Sequence, residues 1–259
     1  QIWGAFTHTN VHLLFQVTIN SDLHTHTIAS HGKGTMEANV RAAKNLGLKK
    51  IAITDHGPAH LFGIGIKNPQ VLVDQKKEAR ALAKRWPQIQ ILVGAEANII
   101  SPEGELDLPE DILAQLDLVL VGLHPRVRPT SWGAAGDLIL KNWLARFPRF
   151  QPQAMRANTQ ALICALDRYR VDFITHPGLH LRIDTLALAK AAEARGVALE
   201  LSAGHGASRE FVERVLETDV NLIISSDAHR PEDVGNFQKA LALAEDFKIP
   251  KARILNADK

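Results

Sequence analysis

Residues 21–35 read Ser-Asp-Leu-His-Thr-His-Thr-Ile-Ala-Ser-His-Gly-Lys-Gly-Thr, which places His24, His26 and His31 at the exit of one short apolar strand. Alternate side chains of an extended strand share a face, so His24 and His26 project the same way and can bind one metal ion together. A single His-x-His pair also fits two polar residues at a strand end that bind nothing. The prediction of a metal site therefore depends on what the rest of the chain places beside this stretch.

The sequence around this stretch alternates short apolar strands with helices. Strands are predicted over residues 17–22, 50–54, 89–94, 116–122, 171–175, 197–201 and 221–225. Helices are predicted over residues 36–46, 72–85, 159–169, 184–195, 208–217 and 236–247. Short apolar strands separated by helices form parallel sheets, and about seven of them closing on themselves give a TIM-like barrel of the α/β class. Barrels of this kind carry their chemistry at the carboxyl ends of the strands.

Two segments depart from the alternation. Residues 125–157 are rich in Arg, Pro and Trp and contain a predicted helix over 137–146, and we interpret them as an excursion over the barrel mouth. Residues 1–16 show no clean hydrophobic period and are treated as an N-terminal extension. No internal repeat or flexible linker is present, so residues 17–259 are predicted to form a single barrel domain.

Composition narrows the function classes. The 259 residues carry a formal net charge of only +2, so the chain lacks the strongly basic surface of a duplex-binding protein, and an acidic substrate would be held by local Lys and Arg. Cys164 is the only cysteine, which rules out a disulfide within the chain and favours a reducing, cytoplasmic setting. No stretch is long enough for a transmembrane helix, and no basic segment precedes the apolar residues 11–19, so neither a membrane span nor a signal peptide is predicted.

Metal-type ligands follow nearly every predicted strand. The candidates are His24, His26, His31, Asp55, His56, Glu96, His124, His176, Asp227 and His229. They include seven of the twelve histidines of the chain, whereas His60, His180 and His205 are assigned surface or supporting roles. Imidazoles with a few carboxylates suit Zn, Mn or Fe, and the absence of thiolates argues against a purely structural zinc site. At roughly three to four protein ligands per catalytic ion, the nine candidates other than Asp55 predict two or three divalent ions. Asp55 either binds an ion or orients a ligating histidine.

Six short motifs, in order along the chain, resemble those of the PHP family, the polymerase and histidinol phosphatase domain. They are Asp-Leu-His-Thr-His-Thr at 22–27, Ile-Thr-Asp-His-Gly-Pro at 53–58, Gly-Ala-Glu-Ala-Asn-Ile at 94–99, Gly-Leu-His at 122–124, Thr-His-Pro-Gly at 175–178 and Ser-Asp-Ala-His at 226–229. The resemblance covers about residues 17–257 and is greatest to the stand-alone bacterial phosphatase-like branch. It implies a distorted (β/α)7 barrel, metal-dependent phosphoester hydrolysis and a trinuclear zinc site with the nine ligands named above, Glu96 bridging two ions.

The chain departs from that branch in three places. The loop before His31 is one residue shorter, strand six is followed by Leu-Glu-Leu-Ser-Ala-Gly-His where relatives have Glu-Ile-Asn, and the excursion at 125–157 is longer. The last two departures lie where substrate contacts are expected. Substrate preference is therefore not transferred from the small phosphatases of the branch.

These observations predict a phosphomonoesterase that acts on a small phosphorylated molecule and uses a hydroxide held between metal ions as the nucleophile. The predicted phosphate clamps are Lys33 and Arg126, with Arg128 as a weaker candidate, and Asp55 and His229 are possible proton carriers. Three alternatives stay open: a PHP-type nuclease or phosphodiesterase, an amidohydrolase-type barrel, and a metal-binding module without turnover. The amidohydrolase-type site would not need Glu96 or the paired Asp227 and His229.

Overall fold

The computed structural model describes residues 17–258 and shows one seven-stranded parallel sheet whose spatial order follows the chain. The strands are β1 Ser21–Asp22, β2 Lys50–Ile53, β3 Gln90–Asn98, β4 Leu118–Gly122, β5 Phe173–Ile174, β6 Ala198–Ser202 and β7 Leu222–Ser225. The ends of the sheet meet where Thr25 pairs in parallel with Ala228 and the His26 amide donates to the Ala228 carbonyl at 2.8 Å. This nearly closed barrel confirms the predicted distorted (β/α)7 fold.

One or more helices follow each strand. They are α1 Met36–Asn45, α2 Gln70–Arg85, α3 Glu110–Leu113, α4 Trp132–Ala135, α5 Lys141–Leu144, α6 Gln151–Arg168, α7 Thr185–Glu193, α8 Arg209–Val215 and α9 Gln238–Asp246. The hydroxyl of Thr35 caps α1 by accepting from the Ala38 amide at 3.2 Å. Within the described residues, no helix is both long and apolar enough to cross a membrane.

Alternation along the strands separates an apolar layer from a polar one inside the barrel. Leu120, Phe173, Ala198 and Ile223 form a buried cluster from four neighbouring strands. Side chains two positions further along a strand face the same way, so Glu200 follows Ala198 in the next layer of the interior. The strands thus end in polar side chains stacked directly above an apolar plug, which fixes the site at their carboxyl ends.

The helices of the excursion and of the segment after it begin and end at other residues than the sequence predicts. The helix predicted over 137–146 begins at Trp132, passes through a π-helical turn over Gly136–Leu140 and ends at Leu144. The helix predicted over 159–169 begins eight residues earlier, at Gln151, because a proline in the first turn is compatible with a helix start.

The first part of the excursion lies at the barrel mouth. Val127 pairs with His60 in an antiparallel bridge, and the Leu61 amide donates to the Arg126 carbonyl at 2.8 Å. The loop after β2 and the loop after β4 are therefore joined beside the site. The predicted extension over residues 1–16 lies outside the described residues.

Candidate metal centre

All nine predicted ligands converge at the carboxyl ends of the strands, with Glu96 at the centre. One of its carboxylate oxygens, Oε2, lies 3.3 Å from His24 Nε2 and 2.8 Å from His56 Nδ1. The other, Oε1, lies 2.9 Å from His176 Nε2 and 3.3 Å from His124 Nε2. Glu96 sits on β3, in the middle of the long strand pair with β4, so its side chain is rigidly held between two sides of the centre.

Four donor atoms form a cage on one side of Glu96. His26 Nε2 lies 3.1 Å from His24 Nε2 and 3.2 Å from Asp227 Oδ1, and it lies 3.6 Å from Glu96 Oε2. His24 Nε2 lies 3.5 Å from Asp227 Oδ1. A tetrahedral zinc ion with bonds of about 2.0–2.1 Å separates its ligand atoms by about 3.3 Å, close to all of these distances. His24, His26 and Glu96 also form a group whose donor atoms all lie within 4.8 Å of one another, so the cage suits one divalent ion.

Two further groups of donors surround the first. Glu96, His124 and His176 offer ligand atoms that lie within 4.8 Å of one another, and so do His26, His56 and His229. The ring of His31 lies beside this last group, with its centroid 4.2 Å from that of His229 and 5.0 Å from that of His56.

Several buried atoms of the cluster have no hydrogen-bond partner. Glu96 Oε2 and His56 Nδ1 both belong to this set although they are only 2.8 Å apart. A buried polar atom without a partner is expected to be satisfied by an ion or a water. The donor set, imidazole nitrogens and carboxylate oxygens, therefore fits divalent metal ions.

Supporting residues set the direction in which the imidazoles face. Glu200 Oε1 lies 2.7 Å from His24 Nδ1, and Asn98 Oδ1 lies 2.8 Å from His124 Nδ1. Each acceptor oxygen holds a proton on Nδ1, which leaves Nε2 of the same ring as a free lone pair aimed at the centre. Sequence reasoning missed Glu200, although an acid within β6, the one strand whose exit has no predicted ligand, was a usable signal.

Burial and charge set the protonation of the cluster. Burial lowers the pKa of His26 and of His56 to about 3, so both rings are neutral and free to bind a cation at pH 7. Burial alone would raise the pKa of Asp227, but His24, His205 and His26 outweigh it and hold the pKa well below its usual range. For Glu96 the imidazoles of His56, His24 and His124 likewise outweigh burial and keep its pKa well below the usual range. His26 and His56 are thus neutral beside ionised carboxylates, whereas Asp227, Glu200 and Glu96 outweigh burial and raise the pKa of His24 well above its usual range, so an ion bound there would displace a proton.

The three predicted catalytic side chains lie in different surroundings. The two oxygens of Asp55 accept from the amide and hydroxyl of Thr27, from Ser30 and from Gln75, so this carboxylate holds the loop that carries His26 and His31. Lys33 is exposed, and its amide donates to the His229 carbonyl at 2.7 Å. Arg126 is exposed on the wall of the cavity above the metal-type ligands.

This cavity has a volume of about 260 Å³. Its floor contains His56, His124, His176, Asp227 and His229. Its walls contain Arg126 and the three histidines that were predicted to have surface or supporting roles, His60, His180 and His205. His205 Nε2 lies 3.0 Å from Asp227 Oδ2, which places this ring in direct contact with a candidate ligand.

Fold and site together define a class of protein. It is a parallel α/β barrel with a buried centre for divalent metal ions at the carboxyl ends of its strands. Within this class the chain belongs to the PHP domain family, whose model matches residues 22–228. The predicted family is thereby confirmed.

Relatives agree with this assignment. The chain is 33% identical over 252 residues to a probable phosphatase of Caldanaerobacter subterraneus subsp. tengcongensis, which covers 91% of this chain and 86% of that protein. It is 34% identical over 251 residues to a probable phosphatase of Shewanella sediminis, with 91% and 88% covered. A solved structure with the same fold, at a TM-score of 0.58 and 13% identity, is histidinol phosphate phosphatase from Lactococcus lactis complexed with zinc, L-histidinol and phosphate; 93% of this chain and 99% of that chain are covered. Family and relatives support the predicted enzyme class, a metal-dependent phosphoesterase.

Proposed function

We propose that this chain is a phosphomonoesterase that acts on a small phosphorylated molecule. The observation that carries the proposal is the convergence of nine metal-type ligands beneath a cavity of only about 260 Å³. Pockets for drug-sized ligands usually measure about 300–1,000 Å³, so this cavity suits a phosphate group with a small alcohol better than a polynucleotide. The names of the relatives, probable phosphatases, support the same reaction class.

The proposed centre holds two or three divalent ions, with zinc preferred to Mn or Fe. The first ion would take His24, His26, Glu96 and Asp227, and the second would take Glu96, His124 and His176, with Glu96 bridging. A third would take His31, His56 and His229. When bound, such ions generate a nucleophile from water at neutral pH, bind phosphate oxygens and neutralise charge on the leaving oxygen.

The side chains of the chain itself bind and orient the substrate. Arg126 is proposed to hold the phosphate from the cavity wall, because a guanidinium matches two phosphate oxygens at once. Lys33 is the less favoured clamp, since its exposed side chain is not among the residues that line the cavity. Asp55 is proposed to act through the loop that it holds rather than on the substrate.

The test is phosphate release from a panel of small phosphomonoesters by the zinc- or manganese-supplemented protein, beside nucleotide release from a single-stranded oligonucleotide. Release from monoesters alone, abolished by His24→Ala, is the expected result. Cleavage of the oligonucleotide alone would instead identify a phosphodiesterase. Bound metal without turnover of either substrate would identify a metal-binding module.

Replacing Arg126 by Ala should raise the KM for a phosphomonoester by about 10- to 100-fold, because hydrogen bonds to charged groups contribute about 1.5–3 kcal/mol. The matched control is Arg128→Ala. Arg128 is also exposed and two residues away, but it does not line the cavity. Equal KM values for the wild type and Arg126→Ala would remove Arg126 from the proposal.

A further inference from the structure

Negative charge is scarce in the cavity above the centre. Among the residues that the structure describes, the lining contains a single carboxylate, Asp227, and a single guanidinium, Arg126. The rest of the lining consists of histidines and of the apolar side chains Ile64, Pro125 and Leu179. The N-terminal residues 1–16 contain no Asp or Glu that could add a carboxylate. A positively charged group of a substrate would therefore have only Asp227 to pair with.

Both oxygens of Asp227 already face other partners. Oδ1 belongs to the metal cage, 3.2 Å from His26 Nε2 and 3.5 Å from His24 Nε2. Oδ2 lies 3.0 Å from Nε2 of His205. An ammonium group in the cavity would have to compete with these partners for the same two oxygens.

The cavity wall itself disfavours a positive charge. Partial burial lowers the pKa of His180 below its usual range, and His176 and His205 lower it further. An ammonium group of a substrate would enter the same surroundings, beside Arg126 and above the ions proposed for the floor. An alkylammonium ion loses its proton only at a much higher pH than an imidazolium does, so it would stay charged there.

A neighbouring cavity does not supply the missing charge. This second cavity has a volume of about 320 Å³ and shares His205, Asp227 and His229 with the first. Apart from Asp227, its charged side chains in the part of the chain that the structure describes are Asp233 and Lys239. Their formal charges sum to zero, so this space offers a cation no further surplus of negative charge.

From these observations we propose that the site selects phosphate esters of alcohols without a positive charge and rejects the phosphates of amino alcohols. Ile64, Pro125 and Leu179 provide apolar contacts for a carbon chain, and the imidazoles of the wall can donate to or accept from hydroxyl groups. The inference rests on the proposed function and narrows its substrate class.

The experiment compares two esters of equal size in the zinc-supplemented full chain. Phosphoethanolamine and 2-hydroxyethyl phosphate differ only in an ammonium or a hydroxyl group. The kcat/KM for phosphoethanolamine should be lower by about 100-fold, because a charge without a partner is expensive to bury. The ammonium group also lowers the pKa of the leaving alcohol, which on its own would favour the cationic ester, so leaving-group chemistry does not explain the expected result.

Binding is measured separately with two phosphonates that cannot be hydrolysed as esters. Calorimetry gives the Kd of 2-aminoethylphosphonate and of propylphosphonate, which has a methyl group in place of the ammonium. The aminoethyl compound should bind about 100-fold more weakly, for the same reason.

His180→Glu should supply the missing carboxylate, since His180 is an exposed residue of the wall and not a proposed ligand. The variant should raise kcat/KM for phosphoethanolamine relative to 2-hydroxyethyl phosphate by about 10-fold, the effect of one hydrogen bond between charged groups. His180→Gln is the matched control, because glutamine has the same length without the charge. Its ratio should equal that of the wild type.

Equal or higher kcat/KM for phosphoethanolamine in the wild type would overturn the inference, and so would equal Kd values for the two phosphonates. An unchanged ratio in His180→Glu would overturn the argument from charge. Failure of the wild type to hydrolyse any monoester would instead overturn the proposed function, and the two phosphonate Kd values would still decide whether the cavity rejects a cation. The two failures are thus distinguishable.

Discussion

Glu200→Gln is the substitution that tests the centre most sharply, because it changes a single atom of a buried side chain that is not a proposed ligand. Glu200 Oε1 accepts from His24 Nδ1 at 2.7 Å and from the Ser225 hydroxyl, and Oε2 accepts from the His176 amide at 2.6 Å. Glutamine keeps the shape but offers one acceptor oxygen in place of two. Its amide nitrogen must then face either the N–H of the His24 ring or the N–H of the His176 backbone.

Either orientation should loosen a ligand of the proposed centre. If the amide nitrogen faces His24, the ring loses the acceptor that keeps its proton on Nδ1, and Nε2 is no longer reserved for an ion. If it faces His176, the backbone at that residue loses the hydrogen bond that holds its unusual conformation. Supporting carboxylates behind metal ligands are typically worth about 10–100-fold in metal affinity, which equals about 1.4–2.7 kcal/mol.

The assay is competition for zinc between the protein and a chelator of known affinity, with phosphomonoester turnover measured at saturating zinc. We expect the tightest zinc step of Glu200→Gln to weaken by about 10–100-fold. Excess zinc should restore turnover in large part. Glu213→Gln, on the exposed face of α8, is the matched control and should behave as the wild type. Zinc affinity equal to that of the wild type in Glu200→Gln would refute the reasoning, and lost turnover with unchanged affinity would move Glu200 to a direct role on the substrate.

Three further outcomes follow from the structure. Asp55→Asn should lower the free energy of unfolding by about 2–3 kcal/mol in urea titrations, because a charged acceptor of four hydrogen bonds is lost. The control Asp74→Asn changes an exposed residue and should alter this free energy little; equal effects would contradict the proposal that Asp55 holds the loop. Because the pKa values of His26 and His56 are about 3 in the fold and 6.5 in the unfolded chain, the unfolded chain binds more protons between these values. The metal-free protein should therefore lose stability as the pH falls through this window, by up to about 1.4 kcal/mol per pH unit for each ring, and a flat urea midpoint between pH 6.5 and 4.5 would contradict it. Removal of bound ions with a chelator should lower Tm by about 5–11 °C, which is the effect of one ion present at 100 times its Kd, and added zinc should restore Tm. A Tm that responds neither to the chelator nor to zinc would argue against ions bound to the folded state.

The positions of the ligands were predictable because topology alone brings them together. Parallel strands end at one edge of the barrel, so His24, His56 and Glu96 meet there although each is far from the next along the chain. The motif order then predicts the family without knowledge of any distance. The ends of the helices in the excursion were harder to predict. The start of α6 at Gln151 depends on which proline of this region lies in a first helical turn, where proline is tolerated.

Supporting contacts were not predictable in the same way. Glu200 is separated from His24 by 176 residues, and nothing in Ala-Leu-Glu-Leu-Ser indicates which ring its carboxylate faces. Likewise the position of His60 at the cavity depends on its bridge to Val127 in a loop that carries no strand pattern. Residues whose role is defined by a partner on another strand become visible only when the register of the barrel is known.

Two proposed ligands hold backbone conformations that side chains rarely adopt, with φ of 28° at His176 and 53° at Asp227. Each such residue costs about 1–3 kcal/mol and persists only where its surroundings enforce it. A buried carboxylate beyond the ligand set does so in both places: Glu200 accepts from the His176 amide, and Asp22 accepts from Ser226, the residue before Asp227, and from the Gly235 amide at 2.9 Å. Asp22 lies on β1 and Asp227 follows β7, so the same contact also fastens the seam of the barrel. Closure of the barrel and strain at the ligand are therefore coupled: a substitution at Asp22 should disturb metal binding and folding together, whereas one at Glu200 should act on the metal first.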